Sequence, residues 1–91
     1  MIKFNVLINP FTQKALVSAR VNKVSCEVII DYIIQDNWML DFNHSFEMNG
    51  RVFVLSLSYE DELHVGVYTD STDGIQGSYN TTFKITHKDE F

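Results

Sequence analysis

Ser25-Cys26-Glu27-Val28-Ile29-Ile30-Asp31-Tyr32-Ile33-Ile34-Gln35-Asp36-Asn37 is the stretch whose reading decides the fold. Ser25 is a suitable N-cap and Glu27 suits a first helical turn. At 100° per residue, Cys26, Val28, Ile29, Ile30, Tyr32, Ile33 and Ile34 cover more than half the circumference. Glu27, Asp31 and Gln35 form the polar strip. This reading predicts one helix over Cys26–Asn37. A helix lying on one sheet needs an apolar stripe of roughly 100°, so Ile30 and Ile34 are surplus. Either the segment Trp38-Met39-Leu40-Asp41-Phe42 folds back over them, or Ile30, Ile34 and Trp38 form a homodimer or docking surface.

The segments on either side read as strands. Ile2, Phe4, Val6 and Ile8 alternate with Lys3, Asn5 and Leu7, and Ala15, Val17, Ala19 and Val21 alternate in the same way. A hairpin through Asn9–Lys14 pairs Ile8 with Ala15, Val6 with Val17 and Phe4 with Ala19. Every such pair is apolar on one face. A helix over Pro10–Arg20 competes with this hairpin, because Gln13–Leu16 are good helix formers. Further on, Asn49-Gly50 signals a type I′ hairpin. It sets Met48 against Arg51, Phe46 against Phe53 and His44 against Leu55. A three-residue loop Glu60-Asp61-Glu62 then sets Tyr59 against Leu63, Leu57 against Val65 and Leu55 against Val67. A two-residue loop would put Leu57 opposite His64 and break the pattern. Asp70–Asn80 reads as a polar loop with Ile75 and Tyr79 exposed. Thr81–His87 reads as a last strand with Phe83 and Ile85 inward.

The expected fold is therefore α+β, in the order ββαββββ, with a single helix packed on one face of an antiparallel sheet. The other face, carrying Lys3, Asn5, Val52, Val54, Ser56, His64, Tyr68, Lys84 and Thr86, is expected to be solvated. The length of 91 residues predicts one domain spanning 1–91. Such a domain is large enough to fold alone with a thin margin.

Composition narrows the classes of function. The chain has one cysteine, Cys26, so no internal disulfide is expected. Residues 1–20 do not read as a signal peptide, and no apolar run approaches the ~20 residues that span a bilayer. The cytoplasm is the expected location, away from membranes. The formal net charge is −5, which disfavours direct nucleic-acid binding, where phosphate attraction dominates affinity. The charge is also segregated along the chain. Lys3, Lys14, Arg20 and Lys23 stand in residues 1–24 with no acid, and all 12 acids follow, against Arg51, Lys84 and Lys88.

No catalytic or cofactor motif stands out. His44, His64 and His87 lack zinc-site spacing, so no metal is expected. Asp70-Ser71-Thr72-Asp73-Gly74 lacks the acids of a calcium loop and reads as a turn. No nucleophile elbow and no Gly-rich phosphate loop is present. An enzyme is not expected, and no cofactor is called for.

What remains is surface. The expected function is a small acidic binding protein that inhibits or modulates a larger protein by stoichiometric blockade. Glu27, Asp31, Glu60, Asp61 and Glu62 would contact a basic site, for example on a nucleic-acid-binding enzyme or complex, with Tyr79 as an anchor. In composition alone, the chain resembles phage-encoded inhibitors of host defence such as anti-CRISPR and anti-restriction proteins. The other reading is a self-associating structural or accessory subunit of a larger assembly, joined through Ile30, Ile34 and Trp38.

Overall fold

The computed structural model describes residues 2–32, 42–69 and 77–86. Seven strands run through them: β1 (Lys3–Asn9), β2 (Lys14–Val21), β3 (Val24–Asp31), β4 (Phe42–Met48), β5 (Arg51–Glu60), β6 (Glu62–Thr69) and β7 (Asn80–Ile85). They form a four-stranded sheet ordered β3-β2-β1-β7 and a three-stranded sheet ordered β4-β5-β6. Every pairing is antiparallel except β1 with β7, which is parallel.

The fold is all-β, which corrects the α+β expectation. Val24–Asp31, where the helix was expected to begin, is strand β3 and pairs with β2 along its whole length. Two local facts produce it. Asn22 and Lys23 both have positive φ, 51° and 66°, the backbone of a two-residue I′ turn. Beyond that turn the side chains alternate. Cys26, Val28 and Ile30 face the core, and Glu27, Ile29 and Asp31 face out. The β-branched run Val28-Ile29-Ile30 also loses rotamer freedom in a helix and suits a pleated surface. The outward Ile29 merges the alternation into an apolar run that fits both periods, and this is what favoured the helix. The competing helix over Pro10–Arg20 is absent as well, because Lys14–Val21 is β2. The latter part of the expected helix, from Ile33 on, and the fold-back of Trp38–Asp41 lie outside the described residues.

A second sheet, not a helix, covers the first. Phe4, Val6, Ile8, Ala15, Val17, Val21 and Ile30 from one sheet meet Phe46, Met48, Phe53, Leu55, Leu57 and Val67 from the other in one core. The Phe4 ring lies edge-on to Phe53 at 5.0 Å and to Phe46 at 6.3 Å between centroids, a favourable aromatic geometry. The shortest extent, 18 Å, is that of two stacked sheets.

The expected registers hold in all three hairpins. Ile8 pairs with Ala15, Phe46 with Phe53, and Tyr59 with Leu63. Asn49 and Gly50 both have positive φ, as a I′ turn requires. In the β5–β6 turn Asp61 alone has positive φ, 68°. Asn9 organises the β1–β2 turn. Its buried side chain accepts the N–H groups of Phe11 and Thr12 at 2.9 and 3.1 Å. Thr86, expected on the solvated face, is buried, and its hydroxyl donates to the carbonyl of Ile8 at 3.2 Å.

Candidate functional site

The strand directions set what each end and edge of the sandwich presents. Residues 77–79 hydrogen-bond to β6. The N–H of Thr69 donates to the carbonyl of Gly77, and that of Tyr79 to the carbonyl of Val67, at 2.8 and 2.9 Å. From the next residue, Asn80, the chain pairs with β1 as β7. Among the described residues, this edge of β6 is therefore covered from Val67 to Thr69 and has no partner strand from Glu62 to Gly66.

The expected binding acids are not brought together. Glu27 and Asp31 are exposed on the outer face of β3, the edge of the four-stranded sheet. Asp31 is 3.5 Å from the Nζ of Lys14. Glu60, Asp61 and Glu62 turn between β5 and β6 in the other sheet, at the far lateral edge. Tyr79 packs inward, its ring 5.5 Å from both Phe4 and Phe53. Of the expected oligomer surface, Ile30 is 3% exposed and belongs to the core. That corrects its assignment, because a side chain facing the opposite sheet cannot also face a second copy. Ile34, Trp38, Ile75, Asp70 and Asp73 lie outside the described residues.

The segregation of charge along the chain becomes segregation between sheets. Among the described residues, the four-stranded sheet and its turns carry Lys3, Lys14, Arg20, Lys23 and Lys84 against Glu27 and Asp31, a net +3. The three-stranded sheet carries Arg51 against Glu47, Glu60, Asp61 and Glu62, a net −3. Lys3 and Lys84 lie on one outer face, and Tyr68 belongs to the other sheet.

Chemistry-bearing side chains do not converge among the described residues. No group of three metal-ligating side chains forms there. His44 stacks on Phe42 at 6.0 Å. His64 lies beyond β5 on the opposite face, 3.8 Å from Glu62. Ser58 stands across from His64 in the ladder, but no hydrogen bond joins them. Cys26 is half-buried on a strand, with its thiol donating to the carbonyl of Val24.

A concavity of about 420 Å³ lies on the four-stranded sheet beside Lys3, Arg20 and Glu27, and a cleft of about 440 Å³ lies where β6 and β7 diverge. Leu63, Val65 and Phe83 line its apolar side. Ser58, Glu62, His64 and Tyr68 line its polar rim. Phe83 and Ile85 sit on the inner face of β7, in register with the buried Val6 and Ile8. Yet they are 42% and 57% exposed. The inward orientation expected for them holds, and their burial does not. The reason is a mismatch of strand number, because a sheet of four lies over a sheet of three and, among the described residues, only the edge strand β6 of the smaller sheet adjoins β7. The far edge differs, since there the Tyr32 ring meets Phe42 at 6.4 Å and spans the two sheets.

The cleft also presents backbone. In a strand, alternate residues direct both N–H and C=O to the same side. Val67 and Thr69 bond toward residues 77–79, so Leu63 and Val65 direct theirs to the same, open side. On β7, Thr86 donates to Ile8, so the backbone groups of Phe83 and Ile85 point away from β1, and Phe83 lines the cleft. Sequence reading missed this site. Its elements, an apolar alternation on each strand, were visible, but the mismatch of strand number is a property of the assembled sheets. Comparison with protein-family models, with curated proteins and with solved structures finds no match in any of the three.

Proposed function

We propose that this chain is a non-catalytic protein-binding module that acts by occupying a surface of a larger partner, with the β6–β7 cleft as its contact site. One observation carries this reading. Phe83 and Ile85 are exposed on the core-facing side of β7, beside a strand edge whose hydrogen-bonding groups meet no partner among the described residues. Natural sheets blunt such edges with proline or inward-pointing charge. Here the inward positions Leu63, Val65, Phe83 and Ile85 are all apolar. The acidic turn Glu60-Asp61-Glu62 stands at the upper end of the cleft and suits a basic partner surface, as on a protein that handles nucleic acid.

Selection of binders from a random peptide library tests the proposal. Peptides that bind the native chain and lose at least tenfold in affinity for Phe83→Ser/Ile85→Ser support it. Binders indifferent to that double substitution overturn the cleft as the contact site. Both side chains are exposed, so the variant is expected to fold. Self-association is the second reading, favoured by the same open edge. A stable dimer of the purified chain in light scattering, dissociated by Phe83→Ser/Ile85→Ser, would establish it instead.

A further inference from the structure

We infer that the cleft is a slot for one added β-strand, supplied by an extended segment of a partner, with apolar and polar residues alternating and a cationic C-terminal end. This rests on the binding-module reading and specifies the mode of binding and its ligand.

The slot has the dimensions and polarity of a missing strand. From Glu62 to Gly66 the edge of β6 spans five residues, about 17 Å at strand rise. Leu63 and Val65 offer two N–H and two C=O groups along it. Below, residues 77–79 already run antiparallel to β6 and use its next groups, at Val67 and Thr69. An added strand continuing that line completes a four-on-four sandwich. It runs antiparallel to β6, and every second side chain points inward over Phe83 and Ile85. Main-chain hydrogen bonds then supply affinity and the alternate side chains supply selectivity, the general mode of strand addition.

Charge settles the occupant. A strand antiparallel to β6 ends at the β5–β6 turn, through which the chain runs Glu60-Asp61-Glu62. Its C-terminal end therefore meets the acidic turn at Asp61 and Glu62 and is favoured when it carries lysine or arginine. A second copy of this chain would bring another sheet of net −3 against the first, which opposes pairing through β6.

The probe is the synthetic peptide Val-Thr-Val-Thr-Val-Lys-Lys, titrated into the isotope-labelled chain and followed by NMR. Three control peptides accompany it. One has Glu-Glu in place of Lys-Lys. One has the same composition with the alternation scrambled. One is N-methylated at alternate residues, so that the bonding N–H groups are lost. The inference expects saturable binding, at least tenfold slower exchange of the Leu63 and Val65 amides on saturation, and at least tenfold weaker binding of each control. Equal binding of the N-methylated and parent peptides would overturn strand addition, and so would no binding at all. Both results leave the library selection free to uphold the cleft as a protein-binding site through another ligand shape. Equal binding of the Glu-Glu peptide would overturn the cationic end.

Discussion

The phenol ring of Tyr68 lies over the backbone of Gly66. A Cβ placed on Gly66 would stand 2.8 Å from Cε2 of that ring and 2.9 Å from its hydroxyl oxygen. Both residues belong to β6 and both line the cleft. The absent side chain is thus what lets the ring lie flat along the strand beside the open edge.

This contact has a spectroscopic consequence. The Gly66 Hα protons lie against the hydroxyl end of that ring, so their resonances are expected to move in Tyr68→Ala. Gly66→Ala forces the far end of the ring aside at a cost of about 1 kcal/mol. Gly66 Hα resonances unchanged in Tyr68→Ala would remove the contact.

The β3 assignment separates two adjacent isoleucines. Ile29 is 54% exposed and Ile30 is 3% exposed. Ile29→Asp is expected to change stability by less than about 1 kcal/mol. Ile30→Asp buries a carboxylate opposite the second sheet. It is expected to cost several kcal/mol, most of the stability of a domain this small. Urea denaturation followed by circular dichroism reads both. A helix over this stretch predicts an apolar position for each, so comparable losses would contradict the strand.

Those two isoleucines also show how far the sequence was legible. Where strict alternation met a recognisable turn, as at Asn49-Gly50, register was readable to the residue. Around Val28-Ile29-Ile30 the period was ambiguous, and the turn that resolves it, Asn22-Lys23, lacks the glycine that makes such turns conspicuous. Tyr79 follows a polar, glycine-containing stretch, and composition alone places it in a loop. It begins an alternation with Thr81, Phe83 and Ile85 that identifies it as the inward residue before β7. The parallel pairing of β7 with β1 joins residues about 77 apart, such as Lys3 with Asn80, and no local signal encodes it. The cleft follows from that pairing, so it was hidden for the same reason. The acidic residues were visible as residues, but their division between two sheets was not.

Tyr32 makes stability depend on pH in the alkaline range. Its ring is buried, 3% exposed, and its hydroxyl donates to the carbonyl of Asn9 at 3.0 Å. Burial disfavours the phenolate and pushes the Tyr32 pKa from 10.0 up to about 12. The folded state thus holds a proton that the unfolded chain releases. Its contribution is fully present below pH 10 and is lost as the pH rises from 10 through 12. The loss is at most about 2–3 kcal/mol. Denaturation midpoints measured between pH 9 and 12 are expected to fall more steeply in the native chain than in Tyr32→Phe. Parallel profiles would contradict this.

Among the described residues the edge of β6 has no partner strand from Glu62 to Gly66, and amide hydrogen exchange of the free chain tests this most directly. His64 and Gly66 point toward β5, and Thr69 donates to Gly77, so these three amides are expected to exchange slowly. Leu63 and Val65 point into the cleft and are expected to exchange quickly, giving a fast–slow alternation along a single strand. Equal protection of Leu63, His64, Val65 and Gly66 would mean that the edge is already paired and would contradict the account.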